Sequence, residues 1–174
     1  PMRVDQADMP RHLRTLPLFR GLSEHECQNV ARGCRLQQYS RGDMVFRAGE
    51  VCESFYFVVT GQVRLYVASA TGVEKVIELI GPGHSFAEAM MFLSKPHTLN
   101  AQTLSDSLIM TVSKRSVFDE IERDPRVSMQ MLSGISHWLH RLLLDVEGYT
   151  LHSGMQRLIG YLLRDVDLNS GAEH

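Results

Sequence analysis

The sequence predicts an α+β fold that is mostly β, an antiparallel jelly-roll-like β-roll followed by a long helix. Between Leu36 and Val112, short runs rich in Val, Ile, Phe and Tyr are broken at Gly42, Gly49, Gly61, Gly72, Gly81 and Gly83. Alternating apolar positions interrupted at such intervals mark antiparallel strands joined by tight turns. Beyond Ser113 the apolar residues recur every three or four positions instead, the period of a helix.

The first helical signal is Ser23-Glu24-His25-Glu26, where Ser23 and Glu26 have the spacing of a capping box. Leu22, Val30 and Ala31 supply its apolar positions and Gly33 closes it. The strands follow as "MVFRAG", "SFYFVVTG", "QVRLYVAS", "EKVIELIG", "LNAQTL" and "SLIMTVS". Each intervening glycine is expected to supply a turn with positive φ, which a β-branched residue adopts only at a cost. "SVFDEIERD" then reads as a short helix. Asp124 as N-cap and Pro125 at the first helical position start a longer one. It runs to about Glu147, on the order of 35 Å.

The long helix carries two apolar stripes. Val127, Met131, Ile135, Trp138 and Leu142 form one, with Leu132, Leu139, Leu143 and Val146 beside it. One stripe suffices to dock the helix on its own sheet. A second implies another partner, and a symmetric copy of the same helix is the simplest, so a homodimer is expected. The competing reading is a helix sunk in a larger core. A last amphipathic helix is expected from His152-Ser153, carrying Met155, Leu158, Ile159, Leu162 and Leu163. No second helix and turn follow it, so no helix-turn-helix can be assembled.

Composition narrows the functions. Hydrophobic residues make up 44% and charged ones 22%, an ordinary soluble balance. The net charge of −2 gives no basic footprint, so any DNA contact would lie outside this segment. No apolar run of about 18 residues and no signal-peptide pattern is present, which excludes a membrane role. Pro1-Met2 is an unusual opening and suggests a cut chain. Cys27, Cys34 and Cys52 lack metal-ligand spacing and read as small buried hydrophobes in a reducing cytoplasm.

"YSRGDMVFRAGEVCESFYFVVTGQVRLY", Tyr39 to Tyr66, resembles the opening of the cyclic-nucleotide-binding β-roll of CRP/FNR transcription regulators. Gly42, Phe46, Gly49-Glu50, Phe55-Tyr56, Gly61 and Val63 carry the likeness, which extends from about Leu16 to Val166. It implies an N-terminal helical segment (1–35), a β-roll sensor domain (36–113) and a short helix plus dimerisation helix (114–151). Residues 152–174 would then begin a DNA-binding domain whose helix-turn-helix is missing. "FAEAMMFLSKP", Phe86 to Pro96, is similar to the DNR branch, which implies control of denitrification by heme-dependent nitric oxide sensing.

In cyclic-nucleotide members a Glu contacts the ribose and an Arg-Ser pair about ten residues later holds the phosphate. Glu88 matches the Glu, but the pair falls near Leu99-Asn100, and no Arg or Lys stands between Pro96 and Ser113. A buried phosphate without a cation or a nest of donors is costly, so cyclic AMP is not expected. An iron–sulfur cluster is not expected either, because no Cys precedes Cys27. The remaining expectation is an apolar pocket lined by Met90, Met91, Phe92, Leu99, Trp138, Leu139 and Leu142, suited to a heme. The same methionines read equally well as plain core.

Where DNR relatives carry a His pair this chain has Leu16-Pro17, with His12 displaced nearby. His97 and His140 are the candidate heme ligands, although a lone His is more often solvated or satisfied. An enzyme is not expected. No His-x-His pair, nucleophile elbow or phosphate loop appears, and "GPGHSFAEA" leads to no strand–helix switch. A ligand-binding or cyclic-nucleotide-binding roll without heme remains the alternative.

Overall fold

Ser23 opens α2 (Glu24–Ala31) through a reciprocal pair of hydrogen bonds. The Glu26 N–H donates to Ser23 Oγ at 3.2 Å and the Ser23 N–H to Glu26 Oε2 at 2.7 Å. In the computed structural model, which describes residues 8–152, two elements precede it. They are α1 (Met9–Thr15) and a 3-10 turn (Pro17–Phe19), too short to leave a periodic trace in the sequence. Gly33, after α2, does not adopt positive φ. A Cβ there would stand 2.4 Å from Ser116 Cβ, so this glycine serves a close approach rather than a left-handed cap.

Eight strands follow: β1 (Cys34–Tyr39), β2 (Met44–Phe46), β3 (Ser54–Thr60), β4 (Val63–Ala68), β5 (Glu74–Ile80), β6 (Ser85–Phe86), β7 (Asn100–Thr103) and β8 (Ser107–Ser113). They form two four-stranded antiparallel sheets, ordered β1-β8-β3-β6 and β2-β7-β4-β5. A short helix, α3 (Glu88–Leu93), interrupts the strands between β6 and β7. The expected positive φ is found at Gly42, Gly49, Gly61, Gly72 and Gly83 but not at Gly81.

Alternation explains how the layers form. Phe46, Val58, Val63, Leu65, Ile80, Phe86, Ala101 and Ile109, drawn from both sheets, make one core cluster inside the roll. On β3, Phe55 and Phe57 point the other way, toward the N-terminal helices. Phe19 stacks on Phe55 at 5.9 Å and the His12 ring lies 5.4 Å from Phe57. That sheet is therefore buried on both faces, whereas edge strand β5 leaves Val76, Ile77 and Leu79 exposed.

Two helices complete the chain, α4 (Lys114–Arg123) and α5 (Arg126–His152). Buried Glu120 of α4 is matched by donors, Asn29 Nδ2 at 3.2 Å and Arg123 Nη1 at 2.8 Å. Asp124 receives the Arg126 N–H at 3.0 Å as α5 starts. The helix is 27 residues long and so outruns the expected end. The chain divides into two compact units, Pro1–Gly134 and Ile135–His174. In the first, Val127 and Met131 are buried. In the second, Trp138, Leu139 and Leu142 are 42%, 49% and 41% exposed. The expected final helix lies outside the described residues.

Gly61 tests the turn chemistry. Its φ is +94°, and a Cβ would stand 2.7 Å from the Asp106 carbonyl oxygen. Gly61→Ala is expected to lower unfolding free energy by about 2 kcal/mol or more, since left-handed backbone alone costs roughly 1–2 kcal/mol. Denaturant titration checks it, and an unchanged midpoint would refute the assignment.

Candidate functional site

Strand β6 delivers the chain into α3 through Ala87, whose φ is 74°, and α3 ends at Ser94 with φ 51°. Among the described residues these are the two non-glycine positions with positive φ. Both bracket one short helix, so its placement rests on tertiary contacts that outweigh backbone strain. Lys114 Nζ donates to Ser94 Oγ at 2.8 Å, and Cys52 Sγ lies 3.8 Å from the Ala87 carbonyl oxygen.

Glu88 opens α3, and its carboxylate accepts a hydrogen bond from Ser85 Oγ. Burial pushes this carboxyl above its ordinary range, with the Ser85 bond opposing the shift. Across the roll, the segment after α3 is bound to the β2–β3 loop. The Gly49 N–H donates to the His97 carbonyl at 2.8 Å and the His97 N–H to that of Glu50 at 2.9 Å. Asn100 Oδ1 accepts the Ala48 N–H at 3.0 Å. The position where a phosphate-binding cation is sought therefore carries a neutral amide already engaged with backbone.

His97 is 4% exposed. Its ring lies on Phe46 with centroids 3.6 Å apart and planes within 9°, and Tyr56 stands at 6.4 Å. Burial lowers its pKa, opposed by the charge of Glu50. Tyr56 and Phe86 stack at 5.2 Å beside it. A macrocycle reaching His97 would have to displace these rings, so His97 fits heme ligation poorly. His140 is exposed on α5 and offers a free imidazole. His12, which the sequence sets near but displaced from the family's His pair, has its Nε2 buried without a partner among the described residues.

The expected pocket-lining residues of the roll differ in their surroundings. Met91 is fully buried, Met90 half-buried, and Leu99 packs against the core cluster. Phe92 turns its edge to Phe118 of α4, at 5.9 Å. Trp138, Leu139 and Leu142 lie on the exposed stretch of α5. Ser85, which shapes the site, carries no motif that would have marked it, whereas Asn100 stands where the family's Arg-Ser pair was sought. A separate polar cleft of about 350 Å³ includes Asp43 and Asp106. Both carboxylates already accept backbone N–H groups, from Ser40 and Arg41. Cys27 and Cys34 are pushed up to about 11 and about 12 by burial, as inert thiols are.

A two-sheet roll with a short helix and an acidic residue at its mouth has an established counterpart, because residues 36–124 match the cyclic nucleotide-binding domain. The chain belongs to that family. Cyclic nucleotide-binding relatives include the Cyclic AMP receptor protein of Thermus thermophilus, 24% identical over 85% of this chain and 68% of that protein. The CRP-like cAMP-activated global transcriptional regulator of Mycobacterium tuberculosis is 23% identical over 71% of this chain. This chain spans 55% of that regulator's length. Among solved structures, DNR from Pseudomonas aeruginosa superposes with a TM-score of 0.79 at 27% identity, covering 94% of this chain and 72% of DNR. The sensor domain of that transcriptional regulator gives 0.67 at 28% identity, covering 79% of this chain and 93% of the domain. The expected CRP-type roll and long helix are thus found, and the relatives include a global transcriptional regulator as well as cGMP-dependent protein kinases.

The His97 environment has a pH signature. The unfolded chain takes up a proton at His97 near the ordinary value of 6.5, while the folded chain resists until lower pH. Stability is therefore lost as pH falls through that window. Glu88 has the opposite sign, since its raised folded pKa makes its contribution fade as pH rises above 4.5. His97→Phe keeps a stacked ring and removes the titration. Its stability relative to the native chain is expected to rise between pH 8 and pH 5 in denaturant melts, and parallel profiles would refute the assignment.

Proposed function

We propose that this chain is the effector-sensing and dimerisation part of a CRP/FNR-type transcription regulator that responds to an apolar effector rather than to a cyclic nucleotide. The observation that carries the reading is the α3 site, which keeps the acidic residue of the family while, among the described residues, no cation is ion-paired or hydrogen-bonded to it. Asn100 is engaged with the Ala48 backbone, and Lys114 is held on Ser94. A cyclic phosphate buried there would lack the charge-assisted bonds that compensate its desolvation.

The finer reading is heme-dependent nitric oxide sensing that controls denitrification genes, supported by the likeness to DNR in sequence and shape. On α5 the exposed Leu143 and Leu144, one turn from His140, would give a heme apolar contacts beside an axial imidazole, while the exposed Trp138 and Leu142 share the opposite face. His12, with its free buried Nε2, is a second candidate donor. Heme would supply the iron at which nitric oxide binds. The protein's part is to hold the group, exclude water and couple its state to α5. DNA contact belongs to a helix-turn-helix beyond this segment, the setting is cytoplasmic, and the role is non-catalytic. Among the described residues no helix is long and apolar enough to cross a membrane.

Dimerisation through α5 follows from its exposed apolar stretch, since such a surface is covered by a partner in stable proteins. Two parallel copies bury it symmetrically. Effector binding can then act only to the extent that it favours one arrangement of the helix pair over another.

Anaerobic titration with hemin, followed by nitric oxide, tests the reading. A saturable Soret band at one heme per chain, shifted by nitric oxide and lost in His140→Ala or His12→Ala, is expected, with no calorimetric signal for cyclic AMP. Cyclic AMP binding without a heme spectrum would replace it with the roll as a nucleotide-binding module. For the dimer, Leu142→Glu is expected to weaken association at least tenfold, about 1.4 kcal/mol, in sedimentation. An unchanged dimer would exclude this seam.

A further inference from the structure

Strand β5 is the free edge of the sheet β2-β7-β4-β5, and six of its seven residues are exposed. Three of these, Val76, Ile77 and Leu79, are apolar. A long apolar edge offers unpaired backbone N–H and C=O groups to any strand that fits it, and natural sheets commonly blunt such an edge with charge. The charges on the face toward the roll interior, Lys75 and Glu78, have opposite signs, and neither is ion-paired among the described residues.

A β-bulge decides which way these side chains point. Along β4, Val63, Leu65 and Val67 alternate and so lie on one face, with Ile80, Glu78 and Lys75 opposite them. Arg64, Tyr66 and Ala68 lie on the other face, opposite Leu79, Val76 and Glu74. Ile77 is the extra residue between the two registers. In a regular strand, residues three apart face opposite ways, whereas the bulge puts Lys75 and Glu78 on the same face. The backbone follows the same pattern. The Ser69 N–H donates to the Val73 carbonyl at 2.9 Å. Alternation from that bond directs the ladder groups of Lys75 and Glu78 to β4, and those of Glu74, Val76 and Leu79 to the free edge.

An edge of this pattern is complementary to itself. An antiparallel copy related by a two-fold axis between Val76 and Ile77 sets Glu74 opposite Leu79 of the second copy, and Lys75 opposite Glu78. Both kinds of pair share a face. The first brings outward backbone groups together, and the second falls where side chains of opposed strands approach most closely. Moving the axis to Lys75 or to Glu78 sets like charges opposite each other, so charge selects one register. Glu74 does not oppose it, since Arg64 Nη1 holds its carboxylate at 2.8 Å. Arg64 is itself fixed, donating to Gln102 Oε1 at 2.6 Å and lying 4.1 Å over the Tyr66 ring. The edge is thus held ready for its partner.

We propose that β5 is a self-association surface that takes β5 of another copy of this chain and joins two four-stranded sheets into one. The inference rests neither on the sensor reading nor on the α5 seam. Where both surfaces act, a chain with two isologous interfaces builds a closed tetramer or an open line, so species larger than a dimer are expected.

Sedimentation of the Leu142→Glu chain, up to about 1 mM, separates this surface from the α5 seam. Concentration-dependent association is expected, and a monomer across that range would overturn the proposal. Lys75→Glu replaces two attractive pairs by two repulsive ones and is expected to weaken association about fivefold or more. Adding Glu78→Lys restores opposite signs and is expected to return the affinity to within about twofold of the parent. Association indifferent to Lys75→Glu, or a double variant that stays weakened, would overturn the pairing.

Disulfide formation gives a second measurement that does not depend on α5. Lys75→Cys chains mixed with Glu78→Cys chains are expected to cross-link when treated with diamide, because opposed Cα atoms at such positions lie about 4.5 Å apart. Either variant alone is expected not to, since its two copies of the cysteine stand three residues, on the order of 10 Å, apart along the strands. The native cysteines are buried with raised pKa values and do not compete. Cross-linking to the same extent in all three samples, or in none, would overturn the proposal.

Discussion

Phe55 and Phe57 on one side of β3, with Tyr56 and Val58 on the other, make this strand the common wall of two cores. The first pair is covered by the N-terminal helices, the second by the opposite sheet of the roll. Strand β8 runs beside it in the same manner, pairing Val112 with Phe55 and Met110 with Phe57. A one-residue slip in this pairing would exchange the two faces and spoil both cores at once, so its register is strongly constrained. The acidic mouth of α3, the stacked His97 and the 3-10 turn whose Phe19 stacks on Phe55 all lean on that wall.

The strands hold the scaffold, while chemistry sits on the segment between β6 and β7, where two strained residues bracket α3. In this chain that segment and the start of β7 combine a half-buried carboxyl, a histidine on an aromatic face whose pKa burial lowers, and an amide engaged with backbone. Such a set tolerates an apolar partner and offers an anion little compensation for lost hydration.

Much of the architecture was legible because it rests on local rules. The capping box of α2, the glycine turns and the shift to helical period after Ser113 each follow from backbone chemistry within a few residues. α1 and the 3-10 turn were not legible, because seven and three residues cannot display a period. Gly33 was read as a helix stop, yet its need arises from Ser116, more than 80 residues away in the chain. Of the candidate site, Glu88 was recognisable by its place in a family pattern. Met91 and Leu99 proved to be core, since period and polarity do not distinguish a pocket wall from packed interior.

By itself, the sequence determined the class of fold, the long helix with its apolar excess, and the absence of a phosphate-binding cation near Leu99-Asn100. These follow from residue type and spacing, which act over short range. The tertiary structure alone decided that His97 is stacked inside the roll, that His12 Nε2 is buried with no partner among the described residues, and that the Gly134 backbone meets the Pro17 carbonyl. Each joins residues far apart in the chain, and their contact is set by how closely two finished elements pack.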